Sequence, residues 1–108
     1  MYQGHPEMWG PVWSWTVETG SHALRIIFSG IFDRFPNAKL ILGHMGETLP
    51  YQLWRFNSRW AISNKGSKKL KLLPSEYFKK NFWCTTAGVC SDEPLRCAID
   101  ALGADRVM

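Results

Sequence analysis

The sequence predicts an α/β protein with parallel strands, and within that class a fragment of a (β/α)8 barrel. Three observations predict it. Helical periodicity alternates along the chain with short apolar or β-branched runs, the order that parallel strands joined by crossover helices require. The run Leu40-Ile41-Leu42 is continuously apolar rather than alternating, as in a strand covered on both faces. It leads straight into Gly43-His44-Met45-Gly46-Glu47, and the functional groups of such folds collect at the C-terminal ends of the strands. The 108 residues supply too few units to close a barrel of eight, and the last expected strand stops at Met108. Residues 1–108 are therefore expected to form one partial barrel domain with strands missing at both ends.

The elements follow in order. Residues 1–12 read as loop, punctuated by Gly4, Pro6, Gly10 and Pro11. From Trp13 to Phe35 the residues Leu24, Ile27, Phe28, Ile31 and Phe35 recur at helical spacing, and Pro36-Asn37 ends the run. Glycines 20 and 30 fall inside it and are read as close packing on a neighbour rather than as breaks. Lys39–His44 is the first strand. Thr48 suits an N-cap and Pro50 the first turn of a helix running to about Ile62. A polar loop covers 63–74, and a short helix capped by Ser75 ends near Lys80. Asn81–Gly88, rich in aromatic and β-branched residues, is the second strand. Ser91 or Asp92 caps a helix through Leu95, Ala98, Ile99 and Leu102, which Gly103 stops. Arg106-Val107-Met108 opens a third strand.

Composition narrows the function classes. Hydrophobic residues make up 45% of the chain and aromatic residues 14%, a globular balance. Of the six tryptophans, Trp13, Trp15, Trp54, Trp60 and Trp83 are expected mostly in the core or as pocket walls. The net charge of +4 owes much to Lys65, Lys68, Lys69, Lys71, Lys79 and Lys80. These surround a loop and a short helix, so they read as a solvated face, and no nucleic-acid partner is expected. Cys84, Cys90 and Cys97 are odd in number and form no C-x-x-C pair, against a disulfide framework or thiolate zinc site and in favour of a reducing cytoplasm. No apolar run approaches the ~20 residues of a membrane span, so no membrane partner is expected. No leader peptide is apparent.

A set of motifs stands in order along nearly the whole chain: Gly10-Pro11-Val12-Trp13, Glu18-Thr19, His22-Ala23-Leu24-Arg25, Ser29-Gly30-Ile31-Phe32-Asp33, Gly43-His44-Met45-Gly46-Glu47, Leu49-Pro50-Tyr51, Trp54-Arg55 and Gly103-Ala104-Asp105-Arg106-Val107-Met108. In this order and spacing they resemble the decarboxylase branch of the amidohydrolase superfamily, with γ-resorcylate, 2,3-dihydroxybenzoate, salicylate and 5-carboxyvanillate decarboxylases among its members. The resemblance implies the C-terminal half of a (β/α)8 barrel that binds one divalent metal, zinc or manganese. It implies an aromatic carboxylic acid as substrate, and a homo-oligomer, dimer or tetramer, for the full-length enzyme. It places the metal ligands on an acidic-x-His strand, a mid-barrel His and an Asp after Met108, all outside this chain, so no metal ligand is assigned within it.

Residue by residue, His44 matches the family's active-site histidine, an imidazole at a strand end suited to moving protons; the alternative is a structural histidine hydrogen-bonded in the core. Glu47 matches a glutamate that contacts that histidine or a substrate hydroxyl; alternatively it only favours the dipole of the following helix. Arg55 matches an arginine that pairs with a carboxylate or phenolate, or else makes a surface ion pair. Trp15 falls where the family often places a phenylalanine that walls the pocket. His5 reads as a loop residue rather than a metal ligand, and His22 as a packing or interface group. Thr85, Thr86 and Gly88 end the second strand and either line the pocket or pack the barrel. Cys84 reads as a buried small hydrophobe.

Three functions follow as expectations: nonoxidative decarboxylation of a hydroxybenzoate-type acid, metal-dependent hydrolysis of a lactone or amide within the same superfamily, or a non-catalytic remnant lacking its metal ligands.

Overall fold

The computed structural model describes residues 2–63 and 69–108, with only the backbone of residue 63. Lys65, Lys68 and Gly66 of the predicted polar loop lie outside the described residues. The elements run α1 (Ser14–Phe28), α2 (Ile31–Arg34), β1 (Leu40–Leu42), α3 (Leu49–Ser63), α4 (Pro74–Asn81), β2 (Phe82–Cys84) and α5 (Asp92–Leu102). The predicted α/β alternation is the observed one. Strands β1 and β2 pair in parallel, with Leu40 opposite Phe82, Ile41 opposite Trp83 and Leu42 opposite Cys84. Beyond β2, Val107 forms a parallel bridge with Cys84, and the Met108 N–H donates to the Cys84 carbonyl at 2.9 Å. The third extended segment thus begins at Val107, one residue later than the sequence places it, because Arg106 still belongs to a 3-10 turn, Ala104–Arg106. Three parallel segments lie side by side in chain order, with helices between them, as in part of an α/β barrel.

Several local expectations are corrected. Residues 1–12 contain two short 3-10 turns, Pro6–Met8 and Gly10–Val12. The first helix does not run unbroken to Phe35. Gly30 adopts φ 74° and separates α1 from α2, a left-handed position that glycine takes at no steric cost. Gly20 does not break α1, and it faces the start of α3, where a Cβ would make ordinary contact with Leu49 at 3.7 Å. The strands are shorter than predicted, because pairing covers only three residues of each. Leu73, not Ser75, is the N-cap of α4. The Glu76 carboxylate accepts from the Leu73 N–H at 2.7 Å. Ser75 is instead tied to α3, its N–H donating to Asn57 Oδ1 at 3.0 Å.

The core centres on α4 and β2. Phe32, Tyr77, Phe78 and Phe82 are buried and their rings stack or meet edge-on, with centroids 5.0–6.2 Å apart, a geometry that adds about 0.5–1.5 kcal/mol per pair beyond burial. The Tyr77 hydroxyl donates to Asp33 and accepts from the Leu72 N–H; burial first, then the Asp33 contact, pushes its acidity weaker than usual. Buried Asn81 donates to the Pro36 and Ala38 carbonyls, pinning the turn that enters β1. Of the tryptophans, Trp13 walls a cleft together with Thr16 and Leu49, as expected, whereas Trp15 and Trp54 are exposed in this partial barrel. Trp60 stacks on Phe28, and Trp83 lies between Arg106 and Lys39, whose charged ends sit over its ring. Among the described residues no helix is long and apolar enough to cross a membrane.

Candidate active site

The site forms where the parallel segments end. Beyond Leu42 the chain makes a tight 3-10 turn, His44–Gly46. Its two non-glycine residues and the Glu47 that follows take left-handed backbone: His44 at φ 53°, Met45 at φ 53° and Glu47 at φ 56°. Such conformations are rare outside glycine and cluster at functional sites. The Met45 N–H is held by the Thr85 carbonyl at 2.8 Å, which ties the turn to the end of β2. Gly46, at φ 74°, lies directly over the buried Cys84 thiol: a Cβ there would stand 2.7 Å from Sγ. Cys84 is therefore packing, as expected. Burial pushes its thiol up to about 11, so it carries no thiolate at neutral pH.

This turn brings His44 and Glu47 together. His44 Nδ1 lies 3.0 Å from Glu47 Oε1. The imidazole is half exposed while the Glu47 side chain is only 3% exposed, so His44 is not a buried core histidine. The other Glu47 oxygen, Oε2, accepts from the Thr16 hydroxyl at 2.8 Å. Both carboxylate oxygens are engaged within the protein, which favours the His44 contact over a substrate hydroxyl as the role of Glu47. With the carboxylate as acceptor, Nδ1 carries the proton and Nε2 is left with its lone pair. No hydrogen bond reaches Nε2 among the described residues. Gly88, also left-handed at φ 74°, closes over the ring: a Cβ there would fall 2.5 Å from His44 Cδ2 and 2.9 Å from Nε2.

Thr16 was not a sequence candidate. It lies 31 residues from Glu47, and nothing local in the sequence marks it as that carboxylate's partner. Gly88, read as lining the pocket or packing the barrel, lies against the ring of His44. Trp15 and Arg55 are exposed and stand outside the Thr16–Glu47–His44 group. Trp15 lies beside Gly10. His5 pairs with Glu7 on the surface, in keeping with a loop residue. His22 borders a cleft of about 390 Å³ between α1 and β1, with Glu18 and Ile41.

The described residues contain no group of three or more His, Cys, Asp or Glu side chains able to hold a metal. His44 and Glu47 do not fit one by themselves, since Nδ1 and both carboxylate oxygens are already engaged.

Known proteins resemble this chain along its whole length. The γ-resorcylate decarboxylase of Polaromonas sp. (strain JS666) is 44% identical over 111 aligned residues, covering 100% of this chain and 33% of that protein. The crystal structure of 5-carboxyvanillate decarboxylase LigW from Sphingomonas paucimobilis superposes with a TM-score of 0.90 at 45% identity, over 97% of this chain and 32% of that one. The dihydroxybenzoic acid decarboxylase of Polaromonas sp. JS666, solved with bound manganese and the inhibitor 2-nitroresorcinol, superposes with a TM-score of 0.91 at 44% identity, over 99% and 32%. The chain thus spans about a third of the length of these relatives. The sequence profile of the amidohydrolase family matches residues 3–108, and the chain belongs to that family.

Proposed function

We propose that this chain is part of a metal-dependent, nonoxidative decarboxylase of hydroxybenzoate-type aromatic acids, and that it supplies the C-terminal half of its barrel. The observation that carries the reading is the orientation of His44. Its Nδ1 is fixed by buried Glu47 at the carboxyl ends of the parallel segments, and its Nε2 lone pair is left for a ligand. The resemblance to decarboxylases of dihydroxybenzoate and carboxyvanillate supports the substrate class. Manganese in one of those structures supports a divalent metal, manganese or zinc, in the whole enzyme. The described residues hold no cluster for it, so groups outside them would have to complete its site. Trp15 and Arg55 remain candidates for substrate contact, and the whole enzyme is expected in the cytoplasm as a dimer or tetramer.

The chain's own part is proton handling. Decarboxylation of a hydroxybenzoate replaces the ring C–COO⁻ bond with C–H, releasing CO₂ without oxidation or reduction. Protonation of the ring carbon is easier when an ortho hydroxyl gains phenolate character. His44 Nε2 would accept that hydroxyl's proton and return it, with Glu47 stabilising the imidazolium formed, while an acid outside this chain would supply the proton of the new C–H bond.

The test is product analysis of the whole protein with 2,6-dihydroxybenzoate and 5-carboxyvanillate. CO₂ and the matching phenol are expected, and His44→Asn should lower kcat by about a hundred-fold or more. Hydrolysed product without CO₂ would overturn the reading.

A further inference from the structure

We propose that Thr16 is a positioning residue that sets the orientation of His44 through Glu47, an assignment that rests on the proton-handling role of His44 given above. Glu47 is a nearly buried carboxylate, and a buried acceptor left without a donor is costly. His44 satisfies Oε1 at 3.0 Å. Oε2 is satisfied by the Thr16 hydroxyl at 2.8 Å. With one oxygen on each partner, the carboxylate plane cannot turn without breaking a bond, and the imidazole plane is set in turn.

Two features show that the contact is specific to this geometry. Thr16 stands in the first turn of α1, where no helical turn precedes it to take its hydroxyl, and it reaches a residue 31 positions away. Gly20 on the same helical face shows how near α1 lies to the loop, since a Cβ there would make ordinary contact with Glu47 Cβ at 4.0 Å and Leu49 at 3.7 Å. Glu47 also needs the anchor. Its backbone, at φ 56° and ψ −128°, lies where glycine is at ease and glutamate is not.

Thr16→Val keeps the shape of the side chain and removes the hydroxyl; Thr16→Ser keeps the hydroxyl. Both are made in the whole protein loaded with zinc, with 15N-labelled histidine. In the wild type, the His44 nitrogen shifts are expected to report a single tautomer with the proton on Nδ1. In Thr16→Val they should report a mixture, and kcat should fall about ten-fold while KM changes little, the range found when an outer hydrogen-bond partner is lost. Thr16→Ser should match the wild type in both readouts. A folded Val variant with one tautomer and unchanged kcat overturns the proposal. If the Val variant does not fold, the Ser variant decides: wild-type behaviour supports the role, and a tautomer mixture despite the hydroxyl overturns it. Absence of decarboxylation in the wild type, with the tautomer change intact in Thr16→Val, would sink the reaction assigned to the site but leave the positioning of His44 standing.

Discussion

Gly88→Ala tests whether the seat of the His44 ring matters separately from backbone strain. The left-handed φ of 74° at Gly88 would cost an alanine about 1–2 kcal/mol. The new methyl would also stand 2.5 Å from Cδ2 and 2.9 Å from Nε2 of His44. Nonbonded carbons rest near 3.5 Å or beyond, so the imidazole must retreat by about 1 Å. A displacement of that size at a reacting group costs about a hundred-fold in rate. Gly30→Ala is the control, because Gly30 has the same φ of 74° but nothing within 4 Å of the new methyl. Chemical denaturation should show similar, modest losses of stability in the two variants. Steady-state decarboxylation by the whole protein should show a near-normal kcat for Gly30→Ala and about a hundred-fold loss for Gly88→Ala. If Gly88→Ala retains activity within about three-fold of Gly30→Ala, the ring is not held where the contact implies, and the reasoning fails.

Further outcomes follow from the same geometry. Glu47→Gln should invert the His44 tautomer, because the amide can donate to Nδ1 and drive the proton to Nε2; the expected loss in kcat is about ten- to a hundred-fold, with melting temperature nearly unchanged. Gly46→Ala should destabilise the fold by about 2–4 kcal/mol in denaturant titrations, since its methyl would lie 2.7 Å from Cys84 Sγ and 3.1 Å from Pro50. Alkylation at pH 8 should label exposed Cys90 and spare Cys84 until the protein unfolds. The buried Cys84 thiol is raised from its ordinary 9.0 to about 11, so its stabilising share is whole below pH 9 and lost as pH rises towards 11. The 108-residue chain by itself should bind manganese weakly and show no turnover; tight binding in equilibrium dialysis, or robust CO₂ release, would contradict the absence of a metal cluster among its described residues.

The alternation of elements was legible because it rests on local pattern: periodic Leu24, Ile27 and Phe28, the unbroken Leu40-Ile41-Leu42, and Gly103 stopping α5 at φ 95°. The lengths were less so. Nothing local separates the three paired residues of β2 from the polar Thr85 and Thr86 that follow, since pairing is decided by the neighbouring segments. Gly20 and Gly30 show the same limit. Both sit in one apolar helical pattern, yet one packs against α3 and the other breaks the helix, a difference set by what stands opposite. The exposed Trp15 and Trp54 show the limit of a composition argument, which counts apolar residues without knowing which faces these 108 residues cover by themselves. At the site, His44 and Glu47 were legible because their pairing is local, three residues apart. Thr16 was not, because a hydroxyl in a helix carries no mark of the carboxylate it will meet.

The backbone of the turn explains why those distant partners matter. His44, Met45 and Glu47 each hold a left-handed conformation worth about 1–3 kcal/mol of strain, and a free peptide of this sequence would relax to an ordinary turn. Contacts from separate elements prevent it. The Thr85 carbonyl holds the Met45 N–H, Cys84 leaves room only for glycine at 46, Thr16 anchors Glu47, and Gly88 limits the ring of His44. Met45 itself is buried, so the turn cannot flip outward without exposing it. The position of the imidazole is therefore a property of the packed α1, β2 and β2–α5 loop together, and not of the Gly-His-Met-Gly-Glu motif by itself. A loop built this way loses little freedom when a ligand arrives, because folding has already ordered it. The same dependence means that substitutions remote in sequence, at Thr16 or Gly88, should reach the chemistry as directly as changes within the motif.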